Sequence, residues 1–178
     1  GGTVLGSSRG SQDIGEIVDA IERVNLNIVF FIGGDGTLKA ASAVAREMLA
    51  RGYTGSVIAI PKTIDNDISF VSQTFGFDTA VEESRKVIQC AHVESRGAPC
   101  GIGLVKLMGR DSGFIAANAA LACRDANFVL VPEEDFDLEG EKGFLATLER
   151  RLKARGHAVV VVAEGAGQKF FGDLQQQT

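Results

Sequence analysis

The sequence predicts an α/β fold, with a mostly parallel sheet and helices on both faces, and three observations carry that expectation. Short apolar runs of strand length alternate with segments of helical period. The runs are continuous, the pattern of strands enclosed on two sides. The unusual loops follow strands, and ligands of such sheets bind beyond the carboxyl ends of the strands.

Each element has its own signal. Residues 13–24 put Ile14, Ile17, Val18 and Ile21 on one helical face, and Asp13 with Glu16 resembles a capping box. "NIVFFI" (27–32) is an apolar run expected to form a strand buried on both faces. A helix from Thr37 to Arg51 carries Leu38, Ala41, Val44, Ala45 and Met48 and stops at Gly52. "SVIAI" (56–60) is a strand ending in a loop, and Asp78 begins a helix running to about residue 94. "GIGLVKL" (101–107) is a strand, followed by a helix at 112–123. "NFVLV" (127–131) precedes a helix near 141–154, which Gly156 ends before a last strand at 158–163.

No linker or shift in composition divides the chain, so residues 1–170 read as one domain. The chain opens on "GGTVLG" without Met, as though inside a domain, and is expected to be incomplete at both ends. Residues 171–178 read as a polar tail without assignment.

Composition narrows the class. The 178 residues are 45% hydrophobic and 23% charged, ordinary for a globular chain. Glycine is in excess: 22 residues is about 12%, against a usual share of about 7%, and they cluster between apolar runs. A net charge of −5 argues against nucleic acid as a partner. Cys90, Cys100 and Cys123 form no CxxC pair, which fits a reducing compartment, and the two histidines have no metal-ligand spacing. "AVVVVA" (158–163), the longest apolar stretch, is too short to span a bilayer, and no targeting segment is visible.

Five loops carry chemistry, four of them after strands. "GGDGT" (33–37) follows the first strand and runs into a helix, whose first amides and dipole suit an anion. Thr37 can cap that helix or bond a phosphate, and Asp35 suits Mg²⁺ better than a bare phosphate. A tight strand–helix turn would use the same glycines, and the GK[ST] ending of a Walker A loop is absent. "PKTIDND" (61–67) follows the second strand. Asp65 and Asp67 alternate in an extended chain and can share one face, one for a metal and one as a proton acceptor, with Lys62 a point charge for phosphate. A solvated acidic loop fits the same residue types. "MGRDSG" (108–113) offers Arg110 as a planar fork for phosphate, or as a helix-initiating partner of Asp111. Glu164 of "AEGAG" can meet sugar hydroxyls or cap a turn, and "SSRG" (7–10) offers Arg9. His92, His157 and the phenylalanines, including Phe75 and Phe77, read as structural, and Cys123 as a small buried hydrophobe.

Taken in order, "LGSSRG", "GGDGT", "PKTIDND", "VKLMGRDSGF" and "VAEG" resemble the 6-phosphofructokinase family, most closely its ATP-dependent branch of plants and protists. The resemblance covers residues 1 to about 170. "GGDGT" alone also occurs in NAD kinases and diacylglycerol kinases; "PKTIDND" followed by "MGRDSG" is much more specific. It implies a Rossmann-like fold and transfer of the ATP γ-phosphoryl group to the 1-hydroxyl of fructose 6-phosphate. It implies Asp65 as base, with Thr63 and Arg110 supporting the transferred group. Asp35 and Asp67 would hold Mg²⁺. Arg9, Gly10, Gly34, Asp35, Gly36 and Thr37 would bind the nucleotide. Thr63, Ile64, Asp65, Met108, Gly109, Arg110 and Glu164 would bind the sugar phosphate. It also implies a cytoplasmic homo-oligomer, dimer or tetramer, or a plastid enzyme if a targeting segment lies upstream.

Two departures matter. Pyrophosphate-using relatives tend to carry Asp where this chain has Gly36, and Lys where it has Lys62. The two signals disagree, and Gly36 favours ATP, since a carboxylate there would crowd and repel the α-phosphate. Gly101 stands where bacterial relatives place an arginine reaching a neighbouring subunit. The rivals are a pyrophosphate-dependent enzyme of the same fold, an NAD-kinase-like or lipid-kinase-like enzyme, and a non-catalytic nucleotide-binding subunit.

Overall fold

The computed structural model describes Val4, Gly6 and residues 13–171. It divides between Lys62 and Thr63 into two compact units. No helix among the described residues is long and apolar enough to cross a membrane.

The first unit holds helix α1 (Ile14–Val24), strand β1 (Ile28–Gly33), helix α2 (Asp35–Ala50) and nearly all of strand β2 (Ser56–Thr63). Asp13 caps α1, its carboxylate accepting from the Glu16 amide at 3.0 Å, and Asn25 ends it in the left-handed region. Val18 and Ile21 of α1 meet Val44 and Met48 of α2, with Val29, Phe31 and Val57 of the strands against them. These are the positions the helical period marked, and each such burial contributes about 1.5–3 kcal/mol. Strands β1 and β2 pair in parallel, from Ile28 opposite Ser56 to Gly33 opposite Pro61.

Two expectations change here. β1 is not enclosed on both faces: Ile28, Phe30 and Ile32 are each more than half exposed, because α1 and α2 cover only the face of Val29 and Phe31. β2 does not end at residue 60 but continues through Pro61 and Lys62 to Thr63. Pro61 stands opposite Gly33, the last residue of β1, where that ladder ends.

The second unit contains the two-residue strand β3 (Phe75–Gly76), helix α3 (Phe77–Gly97), strand β4 (Gly101–Leu107), helix α4 (Phe114–Cys123), strand β5 (Phe128–Leu130), helix α5 (Phe144–Arg155) and strand β6 (His157–Ala163). Its sheet has the order β4-β6-β5, all parallel. β6 is enclosed on both sides. Val159, Val161 and Ala163 face Ile88 of α3 and Ile115, Ala116 and Ala119 of α4. Ala158 and Val160 pack with Leu148 of α5. Helices on both faces of a parallel sheet are the architecture the sequence predicts. Phe77 belongs to this core, but Phe75 is exposed, since the short β3 turns it outward. Cys123 is half-buried against the core, and the His92 and His157 rings meet edge to face at 5.3 Å.

Candidate active site

In the first unit, "GGDGT" is less of a loop than its composition suggests. β1 ends at Gly33, Gly34 is the N-cap of α2, and Asp35, Gly36 and Thr37 form its first turn. Thr37 therefore does not cap the helix; its side chain sits over Gly33, where a Cβ would strike it. The amides opening α2 have no intrahelical acceptor, so they and the dipole present a positive end. Around Gly36 there is open space. The Asp35 carboxylate is exposed and pairs with Lys39 at 2.6 Å. Lys62 is exposed, and among the described residues its amine has no partner.

In the second unit, the segment after β2 is held at several points. The Thr63 hydroxyl accepts from the Asp65 amide at 3.2 Å and donates to the Asp65 carboxylate at 3.4 Å. Asn66 has φ 55°, so the chain is not extended between Asp65 and Asp67, contrary to the alternation read from sequence. Asparagine tolerates this region because its short amide bonds locally. Its Oδ1 accepts from the Thr74 amide at 2.8 Å. Ser112, 2% exposed, donates to the Asp65 carbonyl at 2.8 Å, joining "PKTIDND" to "MGRDSG". Ile64 packs against the core beneath.

The other loops meet on the same unit. The Glu164 amide donates to the Leu107 carbonyl at 2.8 Å, and the Gly165 amide to the Gly109 carbonyl at 3.2 Å. Gly109 has φ 119°, a conformation that side chains rarely permit. A Cβ on Gly165 would lie 2.7 Å from the carbonyl carbon of Arg110, so glycine is what lets the two main chains touch. Gly113 caps α4 and donates to the Glu133 carboxylate at 2.7 Å. Met108 and Arg110 are exposed, and among the described residues the Arg110 guanidinium has no ion pair, with Asp111 or any other group.

Electrostatics single out Asp65. Partial burial pushes its carboxyl above the ordinary 3.8, and the charge of Asp67 pushes it further. The Thr63 hydroxyl acts in the opposite direction, and Asp111 and Glu164 add smaller upward pushes. Four carboxylates thus share one field. Among the described residues no three His, Cys, Asp or Glu side chains group as metal ligands.

Arg9 and Gly10 lie outside the described residues. Gly34, Asp35, Gly36 and Thr37 stand together at the start of α2 in the first unit. Thr63, Ile64, Asp65, Asp67, Met108, Gly109, Arg110 and Glu164 belong to the second. Sequence reasoning assigned nothing to Asn66, Thr74, Ser112 or Gly165. Asn66 and Ser112 are residue types that bond backbone, but nothing in the sequence names their partners.

The family model described as phosphofructokinase matches residues 1–178. The chain is 55% identical over 177 residues to the ATP-dependent 6-phosphofructokinase of Borreliella burgdorferi, covering 96% of this chain and 40% of that protein. It is 54% identical over 178 residues to ATP-dependent 6-phosphofructokinase 7 of Arabidopsis thaliana, covering 100% and 37%. The structure is similar to that of the pyrophosphate-dependent phosphofructokinase from Marinobacter aquaeolei, with a TM-score of 0.77, 24% identity and coverage of 99% of this chain and 48% of that one. That last likeness concerns the fold. The chain therefore spans about two-fifths of the length of the curated relatives it matches. With a family model matched from end to end and half its residues shared with such relatives, the chain belongs to the phosphofructokinase family.

Proposed function

We propose that the protein containing this chain is an ATP-dependent 6-phosphofructokinase, moving the γ-phosphoryl group of ATP to the 1-hydroxyl of fructose 6-phosphate. The observation that carries this reading is Asp65. It is a partly buried carboxylate with a raised pKa, fixed through Thr63 and Ser112, in the unit that also presents Arg110, whose guanidinium has no ion pair among the described residues. A base whose pKa moves toward the working pH is better matched to taking a hydroxyl proton. The names of the curated relatives support ATP as donor, and the open space at Gly36 is consistent with a nucleotide α-phosphate.

In this reading Asp65 accepts the proton of the 1-hydroxyl. Thr63 and the planar fork of Arg110 steady the transferred group, whose charge spreads over its equatorial oxygens. The amides of Gly34, Gly36 and Thr37 meet the nucleotide phosphates, with Arg9 and Gly10. Met108, Gly109, Ile64 and Glu164 border the sugar phosphate. Mg²⁺ is commonly held by one or two carboxylates plus phosphate and water oxygens, and Asp35 and Asp67 are hard oxygen donors of that kind. Bound to such a carboxylate, Mg²⁺ would neutralise phosphate charge, and Asp35 would have to part from Lys39 to bind it. The same reading includes a cytoplasmic homo-oligomer, checked by sedimentation of the intact protein.

The test is a coupled assay of the intact protein with fructose 6-phosphate and either ATP or pyrophosphate. Activity with ATP is expected; activity with pyrophosphate alone would overturn the choice of donor. Asp65→Asn should lower kcat by about 10²–10⁴ with much less change in substrate affinity, since the amide keeps the shape but cannot take the proton. A variant keeping most of its kcat removes Asp65 from the role of base.

A further inference from the structure

Asp65 is flanked by two groups that a single distant residue holds. Thr74 is 3% exposed, and its hydroxyl lies 2.8 Å from the Thr63 carbonyl and 3.2 Å from the Asn66 Oδ1. The hydroxyl has one proton, and the shorter contact, to Thr63, takes it. The Thr74 amide donates to the same Asn66 Oδ1 at 2.8 Å. Asn66 in turn donates from Nδ2 to the Ser72 carbonyl at 3.4 Å. One residue therefore grips the chain just before Asp65 and just after it, and Asn66 between the two carboxylates sits in the left-handed region. Ser112 holds the Asp65 carbonyl independently.

We propose that Thr74 is a positioning residue for the reaction: its hydroxyl and amide clamp Thr63 and Asn66, and so fix the backbone that presents Asp65 to the acceptor hydroxyl. The proposal rests on the reading of Asp65 as base. At 3% exposure Thr74 acts through Thr63 and Asn66, which it bonds directly. Its effect should fall on the chemical step, because a displacement of about 1 Å at a reacting group is enough to cost on the order of 10²-fold in rate.

The test compares Thr74→Val, which keeps the shape and the amide but loses the hydroxyl, with Thr74→Ser, which keeps the hydroxyl. Both are made in the intact protein and assayed with ATP and fructose 6-phosphate. Thr74→Val should lower kcat at least about tenfold, with KM for ATP within about threefold of wild type, and Thr74→Ser should restore most of kcat. Hydrogen exchange of the Asp65 amide is read alongside, and should accelerate in Thr74→Val but not in Thr74→Ser. If Thr74→Val fails to fold, Asn66→Gly replaces it, since glycine keeps the left-handed backbone and loses the acceptor for Thr74 together with the donor to Ser72; the same loss of kcat and faster Asp65 exchange are expected. A kcat in Thr74→Val within about threefold of wild type overturns the positioning role. A wild type inactive toward fructose 6-phosphate would overturn the proposed function instead. The clamp would then stand or fall on the Asp65 exchange alone, acceleration supporting it and unchanged exchange refuting it.

Discussion

Replacing Gly165 by alanine tests whether the contact between the Glu164 loop and the Arg110 loop sets the catalytic geometry. A Cβ at 165 would stand 2.7 Å from the carbonyl carbon of Arg110 and nearer still to its oxygen, where ordinary contact begins at 3.4 Å. The two main chains must therefore separate by at least 0.7 Å for the carbon, the difference between those distances, and by more for the oxygen. The obstacle is backbone on both sides, so no rotamer relieves it. A separation on the order of 1 Å at Arg110 predicts a loss of about 10²-fold in kcat. The stability cost of such overpacking is about 1–3 kcal/mol. The assay is steady-state kinetics of the intact protein at a temperature where circular dichroism shows the variant folded. Gly97→Ala serves as control: a Cβ there meets nothing within 4 Å, and both kcat and the melting temperature should stay near wild type. A Gly165→Ala enzyme within about threefold of wild-type kcat would refute the argument that this contact aligns Arg110.

Two further outcomes follow from the same geometry. Gly36→Asp meets no obstacle in the first turn of α2, where an acidic side chain also suits the dipole, so the melting temperature should hold or rise while KM for ATP increases strongly. Unchanged ATP kinetics would show that the nucleotide phosphates lie elsewhere. Asp65→Asn should raise the melting temperature at pH 7. Its carboxyl titrates above 3.8 in the folded unit, so the destabilisation it causes is absent below that value, grows as pH rises to the folded pKa, and is complete above it. The gap between variant and wild type should therefore close toward about pH 3. A gap independent of pH would mean that the charge of Asp65 is not the cause.

The sequence was most legible where burial decided the structure. β6 occupies 157–163, one residue more than the run at 158–163, because its residues are nearly all enclosed. Helix ends were legible where a capping residue stood, as at Asp13 and Gly156. They were less so at α2, where glycines belonging to a strand end, a cap and a first turn look alike in sequence. Pro61 and Lys62 read as loop because their side chains are unlike a core strand, yet β2 runs on through both, and Pro61 still stands opposite Gly33 of β1. The carboxylates and Arg110 could be picked out by chemical type. Their supports could not: Ser112 is 47 residues from Asp65, and Thr74 is an ordinary threonine until the fold sets its hydroxyl against Thr63. Hydrogen bonds of that sequence separation leave no periodic trace.

The order β4-β6-β5 also governs when this sheet can exist during synthesis. β4 pairs with β6, and so does β5; the strand both need is the last of the three to leave the ribosome. At about 5–20 residues per second, the chain between Leu107 and His157 takes roughly 3–10 s to make, and β4 waits for its partner all that time. Helices α3 and α4 can form meanwhile from local contacts, but the sheet cannot. A ribosome stalled anywhere in that stretch would hold β4 without β6, its partner among the described strands, and a strand lacking its partner is the kind of segment that chaperones capture and that aggregates if they do not.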